Sequence, residues 1–260
     1  MSLTLIYILI ILLGLAVGSF LNVVILRFDE IKTIINTRSH CVSCKKNLRW
    51  YDLIPFFSFV FLLGKCRYCK KNISPQYPLV EIGTGLIFGL LFWKFGFSWI
   101  LIPYLLITCL LIVIFVYDIL KLMISDFLVY LALGIWVVWI LSQFLLNNYQ
   151  ISIILDSLYG GLVLGGFLGL IVIVSRQKWM GAGDIALGVL LGMMVGWPVV
   201  LVATFLAFVL GSFIGLFLIA VHKKKMKDQL PFAPFLITGM WLALLFGEQI
   251  INLYLGKFYN

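Results

Sequence analysis

The stretch "LTLIYILIILLGLAVGSFLNVVIL", residues 3–26, contains no charged side chain. Roughly 20 apolar residues in a helix cross the ~30 Å hydrocarbon core of a bilayer, so this stretch is long enough to span a membrane. No Lys or Arg precedes Arg27, and the stretch therefore lacks the basic n-region of a cleaved signal peptide. We expect residues 3–26 to be retained as a first transmembrane helix.

Apolar runs recur along the rest of the 260-residue chain, and its mean hydropathy is +1.16. They predict further helices near residues 79–95, 98–119, 125–144, 153–174, 184–196, 198–221 and 232–254. The runs at 79–95 and 184–196 are short for a membrane span. The pattern is typical of an all-α polytopic membrane protein with about eight transmembrane helices.

The positions of the basic residues predict the orientation of the chain. If the N-terminus is outside, the internal segments are 27–78, 120–124, 175–183 and 222–231. All of the 19 Lys and Arg residues except Lys94 and Lys257 then lie in internal segments, as the positive-inside rule requires. Topology and attraction to anionic membrane lipid account for the net charge of +9, so we expect no nucleic-acid partner.

The internal segment 27–78 is the only sizeable soluble piece, and it carries two CxxC pairs. They are Cys41 with Cys44 and Cys66 with Cys69. In a reducing compartment such pairs favour a tetrahedral zinc site over disulfides. Because four thiolates leave no open coordination position, we expect Zn²⁺ to have a structural role. The predicted fold therefore includes a small cytosolic Cys₄ zinc-binding domain between helices 1 and 2.

Several carboxylates lie in or at the edges of the apolar runs, where an ionisable group is costly and marks a functional candidate. They are Glu81, Asp118, Asp126, Asp156, Asp184 and Glu248. By the predicted topology, Asp118, Asp126 and Asp184 lie near the cytosolic face at similar depth. Two inward-facing carboxylates at one depth suggest acid/base chemistry with a shared proton, in which one activates water and its protonated partner polarises a carbonyl.

Glycine spacing indicates that Asp184 faces the helix bundle. Small residues recur every four positions in two neighbouring runs, which lets helices approach closely in lipid. They are Gly188, Gly192 and Gly196 after Asp184, and Gly161, Gly165 and Gly169 in the preceding run. Gly181 and Gly183 leave room for a substrate backbone beside the carboxylate. The alternative is that the glycines only pack helices and that Asp184 only caps one.

Motifs along nearly the whole chain resemble the prepilin peptidases (type IV leader peptidases), which are membrane aspartyl proteases of the GxGD type. The motifs are "GSFLNVVILR" (18–27), the paired CxxC segment with "LIPFFSFVFLLGKC" (53–66), "YPLVE" (77–81), "YDILKLMISD" (117–126), "GAGD" (181–184) and "LPFAPFL" (230–236). The resemblance implies that Asp118 and Asp184 are the catalytic pair and that Asp126 is a supporting residue. Where the family often has Ile-Pro-Asp, this chain has Ile124-Ser125-Asp126.

The resemblance also implies a reaction and its partners. Type IV prepilins or pseudopilins would be cut at the cytosolic face of the bacterial cytoplasmic (inner) membrane, between a short basic leader and an apolar helix. The new N-terminus would then be N-methylated with S-adenosyl-L-methionine, an activity linked in the family to the cysteine domain. The residues that bind this methyl donor are not identified. We expect Asp29 or Glu30, together with anionic lipid, to meet the leader.

The resulting organisation has three parts. Residues 1–26 form the first transmembrane helix, 27–78 the zinc-binding, methylation-linked domain, and 79–260 the transmembrane peptidase core.

Two functional alternatives remain open. A transporter or proton relay would also use intramembrane carboxylates, but nearer mid-membrane and often in repeated halves. A non-catalytic membrane assembly anchor would tolerate the loss of Asp118 and Asp184.

Overall fold

The computed structural model describes residues 3–28, 39–146, 151–221 and 229–256. Regular structure in these ranges is helical, apart from two isolated β-bridges. The α-helices are α1 (Leu3–Leu26), α2 (Phe57–Phe61), α3 (Gln76–Phe95), α4 (Leu101–Lys121), α5 (Asp126–Leu145), α6 (Ile151–Ser175), α7 (Gly183–Val195), α8 (Val199–Ala220) and α9 (Ala233–Gly256). A 3₁₀ turn at Trp50–Leu53 precedes α2.

The eight predicted apolar runs all form helices, and seven of these are long and apolar enough to cross a membrane. The predicted run 79–95 is extended at its start and becomes the 20-residue helix α3. The run 184–196 becomes α7, which has only 13 residues and is about 20 Å long at 1.5 Å per residue. The all-α, multi-pass architecture is thus confirmed, with α7 as a short helix inside it.

The chain divides into two compact units, residues 1–113 and 114–260. In the first unit, α1 packs on α3 through small residues. A Cβ added at Gly14 would lie 2.7 Å from the Cα of Gly85, and one at Gly18 would lie 2.8 Å from the Cα of Glu81. Asn22 is buried and donates to the Tyr77 carbonyl at 3.1 Å. The division into segments 1–26, 27–78 and 79–260 stays a prediction.

In the second unit, α7 is enclosed by α5, α6, α8 and α9, and none of its residues is exposed. Its glycine face meets that of α6, because a Cβ at Gly192 would overlap the carbonyl oxygen of Gly160. The expected α6 stripe is shifted: Gly161 and Gly165 contact α7, whereas nothing lies within 4 Å of a Cβ built at Gly169. Close packing of these backbones fixes where the first turn of α7, and hence Asp184, is held.

Candidate active site and metal centre

Three aspartates lie at one end of the second unit. Asp118 is in the last turn of α4, Asp126 is the first residue of α5, and Asp184 is the second residue of α7. The side chains of Asp118 and Asp184 are buried, at 4% and 6% exposure. Their positions follow from the alternating helix directions, since α4 ends where α5 and α7 begin.

A cavity of about 440 Å³ brings the three carboxylates together. Its remaining walls come from the segments that join the helices, namely 122–124, 177–181 and 229–232. Gly181 and Gly183 line it with the aspartates, as does the cation Lys178. Asp156, near the start of α6, and Glu248, near the end of α9, are not among the lining residues.

The Asp118 carboxylate is oriented by the start of α9. Its Oδ2 accepts a hydrogen bond of 3.2 Å from the backbone N–H of Ala233, the first residue of that helix. Exposed N–H groups at a helix N-terminus are well suited to a carboxylate. The role of Ala233 was not predicted, although Pro231 and Pro234 in the "LPFAPFL" motif indicate a helix start there.

Only one carboxylate oxygen of Asp184 accepts a hydrogen bond among the described residues. Its Oδ2 accepts a hydrogen bond of 3.2 Å from the backbone N–H of Gly181. Its Oδ1 is buried and has no hydrogen-bond partner among the described residues. The turn "GAGD" thus holds the carboxylate from its own backbone and leaves the second oxygen available for chemistry.

The two glycines of this turn have different surroundings. A Cβ at Gly183 would lie 3.1 Å from the Cβ of Ile124 and 3.8 Å from the Oδ1 of Asp126. A Cβ at Gly181 would lie 3.8 Å from the Oδ2 of Asp184, which is an ordinary contact. Gly183 therefore allows close packing of α7 on the segment that precedes α5, whereas a side chain at position 181 would make only an ordinary contact.

The first unit contains a separate cluster made by the two CxxC pairs. The Sγ atoms of Cys41, Cys44, Cys66 and Cys69 all lie within 4.8 Å of one another, and the thiols are not joined in disulfides. The Sγ atoms of Cys41 and Cys69 are 3.8 Å apart. With a Zn–S distance of ≈ 2.3 Å, the sulfurs of a tetrahedral site are about 3.8 Å apart. The four thiols therefore fit a tetrahedral metal ion.

Two equivalent hairpins carry the cysteines. In the first, Lys45 N–H donates to the Cys41 carbonyl and Cys41 N–H to the Lys46 carbonyl. In the second, Lys70 N–H donates to Cys66 and Cys66 N–H to Lys71. Lys45 and Lys70 both adopt left-handed φ, at 57° and 59°. The repeated "CxxCKKN" sequence thus forms the same turn twice.

The cysteine module, residues 39–73, contains the four thiols and a single acid, Asp52. The backbone N–H of Cys44 stabilises the Cys41 thiolate and lowers the pKa of Cys41 to about 6.

Asp52 has a structural role that was not predicted. Its side chain is 3% exposed, and its Oδ1 accepts a hydrogen bond of 2.7 Å from Arg67 Nε in an ion pair. Burial alone would raise the pKa of Asp52, but the bonds from Arg67, the Arg49 backbone and Tyr68 outweigh burial and lower it. Asp52 therefore ties the segment between the hairpins to the second hairpin.

Comparison with known proteins identifies the family of the chain. Residues 12–95 match the bacterial peptidase A24 N-terminal domain, and residues 105–216 match the type IV leader peptidase family. A relative from Stutzerimonas stutzeri named prepilin leader peptidase/N-methyltransferase is 34% identical over 94% of this chain and 91% of its own. The chain belongs to the type IV leader peptidase family. Relatives of the same name from Bacillus subtilis and Pseudomonas aeruginosa are 34% and 31% identical, over 93% and 94% of this chain and 95% and 92% of their own.

The family model for the type IV leader peptidases covers most of α4, all of α5 to α7 and most of α8, and it includes both buried aspartates. The N-terminal family model covers α3, most of α1 and the cysteine cluster. No solved structure gives a significant match. Family membership and the seven long apolar helices show that the chain is a multi-pass protein of the bacterial inner membrane.

Proposed function

We propose that this chain hydrolyses the leader peptide of type IV prepilins or pseudopilins and that Asp118 and Asp184 are its catalytic pair. The observation that carries the proposal is their common cavity: two buried carboxylates from distant parts of the chain face one space at one end of the second unit. The name shared by relatives that align along more than nine-tenths of the chain supports the same reaction.

The chemistry follows from two carboxylates that share a proton. One accepts a proton from water, and the resulting hydroxide attacks the carbonyl carbon of the scissile bond. The protonated partner donates its proton to the carbonyl oxygen. As the C–N bond breaks, the first carboxylate passes the proton that it took from water to the leaving amine, and the partner takes its own proton back from the hydroxyl of the tetrahedral intermediate. The Ala233 and Gly181 backbone N–H groups hold the two side chains in place.

The proposal includes an orientation. The N-terminus lies outside and residues 27–78 are cytosolic, because this arrangement leaves only Lys94 and Lys257 of the basic residues outside. The aspartate cavity then opens toward the cytosol, where the basic leader lies. Asp29 and Glu30, the expected leader contacts, lie outside the described residues. Anionic lipid would also attract the leader.

We further propose that the four cysteines hold Zn²⁺ in a structural role and that the chain methylates the newly exposed N-terminus. The Sγ spacing supports the metal. The shared name prepilin leader peptidase/N-methyltransferase supports the second activity, for which S-adenosyl-L-methionine would supply the methyl group. The chain's own residues for this donor stay unassigned.

The test uses purified full-length protein in detergent and a pilin precursor, with and without S-adenosyl-L-methionine, and reads product masses. We expect a leaderless product, and a product heavier by one methyl group when the donor is present. Asp118→Asn and Asp184→Asn should each abolish cleavage. Asp156→Asn, outside the cavity, should cleave like the wild type. Cleavage by either cavity variant would refute the proposed pair, and no cleavage by the wild type would refute the proposed function.

A further inference from the structure

An exposed apolar surface lies between the two cysteine hairpins. It is formed by residues 53–63, which we call the apolar tip. Its exposed side chains are Leu53, Ile54, Phe57, Val60, Phe61 and Leu63, and the last two are 81% and 85% exposed. Trp50, just before the tip, is also exposed. Contiguous exposed apolar side chains mark an interaction surface.

A buried carboxylate in a membrane-spanning helix holds the apolar tip. The backbone N–H of Phe56 donates to Glu81 Oε2 at 2.8 Å. The apolar run of α3 begins at residue 79, and Glu81 lies two residues further on, about 3 Å along the helix axis. The tip is therefore tied to α3 at the boundary where its apolar run begins.

Several contacts fix this attachment. Gly18 of α1 packs against the Cα of Glu81, and the Ser19 side chain bonds to its carboxylate. Phe56 itself has φ 60° and ψ −51°, and Phe57 N–H donates to the Pro55 carbonyl at 2.6 Å. This is the rare γ-turn with positive φ. Such a conformation costs about 1–3 kcal/mol and persists where surrounding contacts over-determine it.

The charge around the apolar tip indicates the partner. The flanking hairpins carry Lys45, Lys46, Lys65, Lys70 and Lys71. The only acid among residues 39–73 is Asp52, which Arg67 pairs. Apolar and aromatic side chains beside a cluster of lysines are typical of segments that lie in the interface of an anionic membrane.

We propose that the apolar tip inserts into the headgroup and acyl-chain boundary of the membrane, with anionic lipid as its partner and Glu81 as its anchor. The cysteine module would then be held against the bilayer surface by its own middle segment. This inference does not depend on the peptidase or methyltransferase activity, and its test uses neither.

The test measures lipid contact in the full-length protein. A fluorescent amino acid replaces Phe61 in one variant and Ser43, in the first hairpin, in a matched control. Each protein is reconstituted in phosphatidylglycerol-containing vesicles whose brominated acyl chains quench a fluorophore that contacts them. We expect quenching at position 61 to exceed that at position 43 at least threefold. A label at Leu63 serves as a second position, and metal content checks the fold.

Equal quenching at positions 61 and 43, or no quenching at 61 and 63, would overturn the proposal. Shielding of position 61 by an added pilin precursor without lipid quenching would also overturn it and would identify a peptide-docking surface.

The role of Glu81 as the anchor is tested by two variants. Glu81→Gln retains an oxygen that can accept the Phe56 N–H, and should preserve the quenching. Glu81→Leu should reduce it at least twofold, and unchanged quenching in Glu81→Leu would contradict the role of Glu81.

Discussion

Gly181 and Gly183 stand two residues apart but should differ in their tolerance of a side chain. Alanine at position 183 would place its Cβ 3.1 Å from the Cβ of Ile124, an atom next to the backbone that cannot rotate away. Overpacking of this kind costs about 1–3 kcal/mol. We expect Gly183→Ala to lower the thermal unfolding temperature in detergent and to slow cleavage, because the displaced first turn of α7 carries Asp184.

Gly181→Ala is the matched control for that experiment. Its Cβ would make an ordinary contact with Asp184, and the N–H that holds the carboxylate is retained. The thermal unfolding temperature of Gly181→Ala in detergent should therefore stay close to wild type. Equal unfolding temperatures for the two variants would show that Ile124 moves aside and that Gly183 is not a packing requirement.

Asp52 gives a prediction for the effect of pH on stability. Its pKa is lowered in the folded protein, so its contribution is present above the unfolded value of about 3.9 and disappears as the pH falls through the folded value. Asp52→Asn should melt below the wild type at pH 7, and the difference should vanish near pH 2. Thermal unfolding in detergent measures it. Repeating the pH 7 comparison with chelator separates this effect from metal loss, and a difference that persists at pH 2 would contradict it.

At the scale of residues, acids whose burial in a membrane is energetically costly can be identified from the sequence, but the residues that contact them cannot. Asp118 and Asp184 stand out because a carboxylate in an apolar run is rare. Whether they act as a pair stays a prediction, although the structure places both in one cavity. Asp52 lies in a 3₁₀ turn of the internal segment, and its burial against Arg67 depends on a hairpin fold that spacing alone does not specify.

The contact of α6 with α7 supplies a prediction about helix packing. A Cβ on Gly192 would overlap the Gly160 carbonyl, so Gly192→Ala must push the two helices apart. We expect a loss of about 1–3 kcal/mol and reduced cleavage, because Asp184 belongs to the displaced helix. Thermal unfolding and cleavage rate measure the two effects.

Gly169→Ala is the control in the same helix pair, since a Cβ there would meet nothing within 4 Å. Alanine has the higher helix propensity, by about 1 kcal/mol, so Gly169→Ala should be neutral or stabilising. A destabilised Gly169→Ala, or a neutral Gly192→Ala, would mean that the close approach of α6 and α7 is not maintained in the membrane.

The cysteine hairpins give a prediction about metal content. Cys66 is buried in the cluster, and Cys66→Ser should reduce the bound zinc of the purified protein from about one ion to well below half. Cys109 lies alone in α4, so Cys109→Ser should retain the metal. Elemental analysis by mass spectrometry measures both, and full zinc content in Cys66→Ser would rule out the four-thiolate site.

At the scale of elements, long apolar runs were enough to predict the helices, because a membrane span must satisfy its backbone internally. Their ends were less certain: α3 begins at Gln76, before the apolar run, because Pro75 and Pro78 are compatible with a helix start. The γ-turn at Phe56 could not be predicted. It has no glycine and depends on a hydrogen bond to Glu81, 25 residues away.

For the whole molecule, the proposed topology predicts reporter activity. Alkaline phosphatase, which folds only outside the cytoplasm, should be active when fused within residues 96–100 and inactive within 122–125. The reason is that inverting the chain would place all but two of its basic residues outside. The reverse pattern of activity would refute the orientation and the cytosolic position of the cysteine module.

The short helix α7 bears on how a membrane protein hydrolyses a bond beside an apolar segment. Its 13 residues leave about 10 Å of a ~30 Å hydrocarbon core unspanned. Because α5, α6, α8 and α9 surround it, lipid does not have to deform to meet its ends. The cavity at the first turn of α7 is lined by Asp118, Asp126 and Asp184. Under the proposed function, water and a peptide bond meet in this cavity while the helix that follows the bond stays in the bilayer.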